Sequence, residues 1–411
     1  MDTTLRFHAN IIVKESIAAV LPDAAVQRAL SGQEFPGRVL LVAAGKAAWQ
    51  MAKTAYDCLG ERIDKGVVVT KYGHVKDPIG NFQCYEAGHP IPDENSFAGT
   101  QAALDLVSDL TERDTVLFLL SGGGSALFEK PLVSSQILQN VTSQLLACGA
   151  DIVEINSIRK RLSAVKGGRF AQYCYPAKVF SVVLSDILGD PLDMIASGPT
   201  VPDSTTVEQA IAISKKYNLQ MPEEAWTLLQ QETPKTLTNV TAQITGSVRE
   251  LCVAAATACQ NLGYEPVLLT DQLCCQAKEA GSFLASILKT HAGSGKSLAF
   301  LAGGETVVQL TGKGKGGRNQ ELALSAAAGI ADIVGAAVFS VGSDGTDGPT
   351  DAAGGYVDYT TLTELNSLNI DPYHILQEND AYHALQKTDG LIFTGPTGTN
   401  VNDIAVALIK A

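Results

Sequence analysis

Several short loops in this 411-residue chain collect the residue types that phosphate or carboxylate chemistry requires. Gly45-Lys46 closes the apolar run RVLLVAA, and a lysine just beyond the carboxyl end of a buried strand stands where α/β proteins bind ligands. A solvated surface lysine is the competing reading. Ser121-Gly122-Gly123-Gly124-Ser125 closes the run TVLFLL. A turn needing a positive φ explains one glycine there but not three, whereas consecutive glycines opening a helix would present backbone N–H groups at its positive end. Leu127 stands where a hydrolase nucleophile elbow around Ser125 needs glycine.

The stretch from Asn156 to Arg169 packs five cations, Arg159, Lys160, Arg161, Lys166 and Arg169, into eleven residues of an otherwise acidic chain. A helix there would put Arg159, Lys166 and Ser163 on one face, and the Gly-Gly-Arg ending suggests a ligand loop over a merely solvated surface. Carboxylates gather in the same way: Asp186 and Asp190 in SDILGD, Glu305 in GGET, and Asp344, Asp347 and Asp351 in SDGTDGPTD. Loops carrying one or two carboxylates suit Mg²⁺, which completes its shell with phosphate and water. Asx turns are the plain alternative. Asp186 outweighs Asp347 because it ends a buried strand, where an unpaired charge is costly. His89, in Gly-His-Pro, occupies a turn, with a satisfied structural histidine as its ordinary explanation.

Two other motifs are weaker. Gly293-Ser-Gly-Lys-Ser297 lacks the first glycine of a P-loop and precedes a strand, so it is rejected. Residues 312–317, Gly-Lys-Gly-Lys-Gly-Gly, satisfy the dinucleotide pattern in letters, but no acid follows at the required distance. Lys313, Lys315 and Arg318 suit that loop to phosphate equally well. The eight cysteines form no C-x-x-C pair and read as small buried apolar residues; for the vicinal pair Cys274-Cys275 two structural thiols outweigh the alternative of a redox site.

The elements that must position these loops are legible in the glycine punctuation. Apolar runs at 38–48, 66–73, 115–127, 179–190, 297–306 and 336–348 each break at Gly or Asp, as strands buried on both faces of a mainly parallel sheet do. Helical patterns alternate with them, the clearest over 134–149, with Ser134 or Ser135 as N-cap and Gly149 after its end. The expected fold is α/β: two α/β/α domains with mainly parallel sheets. The polar stretch 217–239 sets the boundary near residue 240, giving domains 1–240 and 241–411.

A net charge of −13 argues against a nucleic-acid partner. No window approaches ~20 uncharged apolar residues, so neither a membrane span nor a signal peptide is expected, and the chain reads as cytoplasmic.

Taken in order, GKAA, GHP, SGGGSAL, NSIRKRLSAVKGGR, LSDILGDPLDMIASGPTVPD, GGET, GKGKGGRNQE, SDGTDGPTDAAG and TGPTGTNVND resemble the glycerate 2-kinase (class II glycerate kinase) family, whose C-terminal half is the MOFRL domain. The resemblance covers residues 5–410. It implies ATP-dependent phosphorylation of D-glycerate at the 2-hydroxyl, a divalent metal, taken as Mg²⁺, and an active site in the cleft between two Rossmann-like α/β domains. Lys46 and Arg318 match the family's basic active-site residues. On this reading they hold the glycerate carboxylate and the moving phosphoryl group, with Arg159 and Asn319 as further substrate contacts. Ser121, Gly122, Gly123, Gly124, Ser125 and Lys315 take the ATP phosphates. Asp186, Asp344 and Asp347 are the metal candidates, with Asp186 also a catalytic candidate. Some members of the family carry the label hydroxypyruvate reductase, so an NAD(P)H-dependent reductase using residues 312–317 is the alternative, and a non-catalytic sugar-acid binding protein a third. A homodimer is left open.

Overall fold

The computed structural model describes residues 1–411 and divides into two compact units, Ala25–Thr245 and Met1–Ala24 with Gly246–Ala411. Each is built on a six-stranded sheet.

The Ala25–Thr245 unit contains β1 (Val39–Ala44), β2 (Ile63–Lys71), β3 (Phe82–Ala87), β4 (Thr115–Leu120), β5 (Lys178–Leu184) and β6 (Val240–Gly246), in the order β3-β2-β1-β4-β5-β6. The pairs β2/β3, β1/β2, β1/β4 and β4/β5 are parallel. Every residue of β1 and β4 is buried, which is why VLLVAA and TVLFLL carry no polar alternation. The chain moves outward from β1 through β2 to β3 and then returns to β4 on the other side of β1. The order therefore reverses between β1 and β4, and in open α/β sheets a crevice opens beyond the strand ends at such a point.

The other unit holds β7 (Glu265–Leu273), β8 (Leu298–Gly304), β9 (Ala336–Gly342), β10 (Gly354–Asp358), β11 (Leu391–Ile392) and β12 (Asp403–Ile409), ordered β11-β10-β9-β12-β8-β7. This sheet is mixed: β7 and β8 are parallel, whereas β12 runs antiparallel to both β8 and β9, and β10 to β9. Inserting β12 between β8 and β9 brings Asp403 level with Gly304 on one side and Gly342 on the other.

The division falls between Thr245 and Gly246, at the end of the last strand of the first sheet and within about ten residues of the expected boundary near 240. The N-terminal helix Thr3–Ala19, capped by Asp2, departs from a split at 240. It belongs to the second unit, where Leu5, Ala9, Ile12, Val13 and Ile17 are buried and the helix packs on Val248–Asn261. The helix expected over 134–149 spans Ser135–Ala147, with the Ser134 side chain accepting from Ile137 N. All eight cysteines are free, but only Cys174, Cys252 and Cys259 are buried. Cys274 and Cys275 are exposed, which corrects the reading of the set as core residues. No helix is long and apolar enough to cross a membrane.

Candidate active site

In the Ala25–Thr245 unit, the loops leaving β1 and β4 are tied together at the reversal point. Ser121 N donates to Ala44 O (3.0 Å), Lys46 N to Gly122 O (2.9 Å), and Ala47 N to Ser121 Oγ (3.0 Å). Gly45, at φ 122°, permits this approach, since a Cβ there would lie 2.3 Å from Ser121 Oγ. The three following glycines have separate neighbours. A Cβ on Gly122 would meet Asp186 Oδ2 at 2.3 Å, one on Gly123 would lie 3.0 Å from the His89 ring and 3.2 Å from Lys46 Cγ, and one on Gly124 would strike Ala196 at 2.6 Å. Lys46, His89, Asp186 and the glycine loop thus converge. Burial, followed by the charges of Lys46 and Lys71, lowers the pKa of His89 and favours its neutral form. His89, the histidine whose turn suggested function but whose ordinary explanation was structural, therefore lies against the glycine loop.

The helix after the glycines is a single turn, Gly124–Leu127, so it lends little macrodipole. The groups there that could attract an anion are backbone N–H groups and Lys46. Ser125 Oγ lies 3.2 Å from Ser197 Oγ, which donates to Asn156 Oδ1 (2.9 Å). Ala196 and Ser197 hold positive φ, 50° and 62°, in conformations unusual for non-glycine residues.

The basic run is mostly internal, which corrects its reading as a ligand loop. Its helix, Ile152–Arg159, ends at Arg159 because the following residues pair with another segment: Leu132 N donates to Leu162 O and Ala164 N to Lys130 O. Arg159, Ser163 and Lys166 consequently share no helix face. Lys160 is buried against Asp203 (2.8 Å) and Asp193 (3.3 Å), and Arg161 against Thr205 and Ser157 O. Arg169 caps the carbonyls of residues 160, 161 and 163. Arg159 is 13% exposed and donates to Ser125 O (3.0 Å), supporting the glycine loop from behind.

In the other unit, Arg318 opens the helix Arg318–Ile330 and grips Asp403 with two bonds, Nε to Oδ2 (2.5 Å) and Nη2 to Oδ1 (3.0 Å). Its Nη1 lies 3.1 Å from Glu305 Oε1. Burial opposes the charge, but the hydrogen bonds and charge of Asp403, with Glu305, hold the guanidinium pKa above its ordinary value.

Gly317, the N-cap of this helix, has no side chain to cap with, and Asp347 supplies one from another loop. Its carboxylate accepts Asn319 N (3.1 Å) and Gln320 N (2.9 Å). Asp347 is buried, and burial pushes its pKa up to about 6. Its observed work is helix capping. Asn319 is buried too, bonded to Asp347 and accepting from Ser340 Oγ (2.5 Å), so it anchors the helix start beside Arg318. Asp344 closes an Asx turn onto Thr346 N (2.9 Å) and stays partly exposed. Lys315 lays its ammonium 4.0 Å from the Tyr382 ring centroid.

The dinucleotide pattern at 312–317 lacks the tight strand-turn-helix geometry. Residues 305–317 separate β8 from the helix, and Cβ atoms on Gly312 and Gly314 would collide with Glu378 and Asp380 at 2.3–2.4 Å. These glycines serve chain packing. No group of three or more His, Cys, Asp or Glu side chains converges as a metal cage. Asp403 was passed over in the sequence although NVND puts an acid at the start of an apolar strand, the counterpart of the strand-end position that singled out Asp186. Asn156 and Ser197 gave no comparable signal.

Residues 8–230 match the family described as a domain of unknown function, DUF4147, and residues 298–403 match the MOFRL family. The chain is 54% identical over 404 residues to the D-glycerate 2-kinase of Thermotoga maritima, covering 97% of each chain. It is 42% identical over 428 residues to the glycerate 2-kinase of Pyrococcus horikoshii, covering 97% of this chain and 96% of that one. The crystal structure of glycerate kinase from Thermotoga maritima superposes with a TM-score of 0.94 at 52% identity, with complete coverage of both chains.

Proposed function

Because the chain belongs to the glycerate 2-kinase family, with its MOFRL part in residues 298–403, we propose that it transfers a phosphoryl group from ATP to the 2-hydroxyl of D-glycerate, giving 2-phosphoglycerate. Within the molecule, the observation that carries this reading is the convergence of Lys46 on the Ser121–Gly124 loop at the sheet's reversal point. Phosphoryl transfer demands positioning and charge neutralisation more than covalent chemistry, and it asks little of a strong base. Lys46 supplies a cation beside backbone N–H groups able to cradle phosphate. Arg318, fixed by Asp403 and Glu305, keeps its charge at any working pH and presents a planar fork to carboxylate or phosphoryl oxygens.

The donor set fits Mg²⁺ of the kind that binds through one or two carboxylates and the nucleotide itself. Asp186, a hard oxygen donor against Gly122 in the phosphate loop, would hold it, with Asp344 the second candidate. A metal held there would supply positive charge to offset that of the phosphates. Asp347 is assigned to the helix cap, and Asn319 and Arg159 to support behind the contact residues. Lys315, whose ammonium lies over the Tyr382 ring, is a further candidate for the ATP phosphates.

The test is phosphorus NMR of the protein incubated with D-glycerate, ATP and Mg²⁺, followed by enolase. A new monoester signal that enolase consumes establishes 2-phosphorylation. Intact ATP, with NADH oxidised by hydroxypyruvate in a parallel reaction, establishes the reductase instead.

A further inference from the structure

The one-turn helix Gly124–Leu127 ends in an unusual way. Glu129 N–H, which would continue the helix onto Ser125 O, donates instead to Thr100 Oγ1 (3.0 Å). The Ser125 carbonyl is taken by two cations, Lys166 Nζ (2.8 Å) and Arg159 Nη2 (3.0 Å). Lys166 Nζ also reaches Phe128 O (3.0 Å) and Glu129 Oε2 (3.0 Å), so three oxygens surround the ammonium. Arg159 Nη2 lies 3.8 Å from the same carboxylate oxygen. Lys166 and Glu129 are fully buried, beside the packed rings of Phe118, Phe128 and Phe170.

This is a costly way to end a helix. Moving charges into a core is costly for each ion, and a paired set is often no more stable than apolar residues of the same volume. Here the set is also incompletely satisfied, since both Glu129 carboxylate oxygens and Arg159 Nε are buried without hydrogen-bond partners, the Lys166–Glu129 contact being an ion pair alone. Elsewhere the same chain stops a helix cheaply, with Gly149 at φ 73° after Ser135–Ala147. What the ions add is direction: Ser125 is held at its carbonyl from two sides and at its hydroxyl by Ser197.

We propose that Glu129, Lys166 and Arg159 are positioning residues for phosphoryl transfer, clamping Ser125 so that the backbone of Gly122–Gly124 stays aimed at the phosphate. The proposal rests on the kinase reading above. It makes the charge of Lys166 matter to turnover. Burial lowers the pKa of that ammonium to about 8, with Glu129 opposing the shift and Arg159 reinforcing it. Loss of its proton removes the charge pulling on Ser125 O.

The experiment is the pH profile of kcat and of KM for D-glycerate with ATP and Mg²⁺, for the unaltered enzyme and for Glu129→Gln, Lys166→Arg, Lys166→Met and Arg159→Lys, each checked for folding by thermal melting. Glu129→Gln should lower kcat at least tenfold with KM within about twofold. It should also move the alkaline limb to lower pH, because Arg159 then faces Lys166 without a counter-charge. Lys166→Arg should retain more turnover than Lys166→Met and lose the limb near pH 8. If the Lys166 variants fail to fold, Arg159→Lys, altered at the accessible end of the set, should show the same kcat-against-KM split. Folded Glu129→Gln or Arg159→Lys enzyme with unchanged kcat and an unmoved alkaline limb would overturn the positioning role alone. An unaltered enzyme that transfers nothing to glycerate at any pH would overturn the kinase reading and this proposal together.

Discussion

The bonds that hold Lys46 in place are those of its backbone, to Gly122, Thr70 and His74. Its side chain is therefore available for chemistry, and Lys46→Ala should cost ~10²–10³-fold in kcat, as loss of a transition-state contact does, with the melting temperature nearly unchanged. Arg318 differs, because its removal strands Asp403 and Glu305. Arg318→Ala should lose comparable activity and also ~1–3 kcal/mol of stability, below the ~3–5 typical of a fully buried pair because Arg318 is 34% exposed. Arg318→Lys separates the two effects: it keeps the charge but not the fork, and kinetics with parallel denaturant titrations would resolve them. Gly122→Ala tests the glycine loop directly. Its methyl would displace the Asp186 carboxylate, and an ångström of misplacement is enough for a loss of about 10²-fold in turnover without unfolding.

Among the elements, the helix Arg318–Ile330 has its first turn capped from elsewhere in the sequence, by Asp347. Asp347→Ala should destabilise by about 1–2 kcal/mol, the usual worth of an N-cap. Asp347→Asn should cost less at neutral pH, because the native carboxylate is itself disfavoured by burial. The sign follows from its raised pKa. Between about pH 4 and pH 6 the folded state binds more protons at this site than the unfolded chain, so stability falls as pH rises through that window. Urea midpoints measured across pH 4–7 should decline less steeply in Asp347→Asn than in the parent. This helix also marks where the sequence stops being readable. Strands buried on both faces announce themselves as apolar runs, so β1, β4, β5, β8 and β9 were all legible, as was the Ser134 cap, a local signal. Asp347 was legible as a carboxylate in a turn but not as a cap, since its partners Asn319 and Gln320 lie nearly thirty residues upstream. The cations of 159–169 misled for the same reason: Asp203 and Glu129, which neutralise them, are distant in sequence, so a structural network looked like a ligand loop.

At the scale of the whole chain, the proposed kinase chemistry, with Asp186 as its candidate carboxylate, expects Mg²⁺ to come with the nucleotide. Chelation by EDTA should abolish transfer while leaving the melting temperature of the free protein unchanged, and Mg²⁺ should restore activity. Mg²⁺ with ATP should raise the melting temperature more than Mg²⁺ alone, because stabilisation grows with the affinity of what binds the native state. The mixed second sheet was the part of the architecture hardest to foresee. Glycine punctuation reports where strands end and not which way they run, so the return of β12 between β8 and β9 left no local trace. It is that return which brings Asp403 to Arg318.

The N-terminal helix carries a consequence for how the molecule is made. Thr3–Ala19 leaves the ribosome ahead of the whole of Ala25–Thr245, yet the helix it packs on, Val248–Asn261, emerges only after that unit. At ~5–20 residues per second, its apolar stripe waits roughly 10–50 s for a surface to lie on. Throughout that interval Leu5, Ile12, Val13 and Ile17 are open to chaperones and to other nascent chains, while the intervening unit can complete its own core. A chain initiated downstream of residue 24 would keep that unit whole and leave the other without the helix that covers Val248–Asn261.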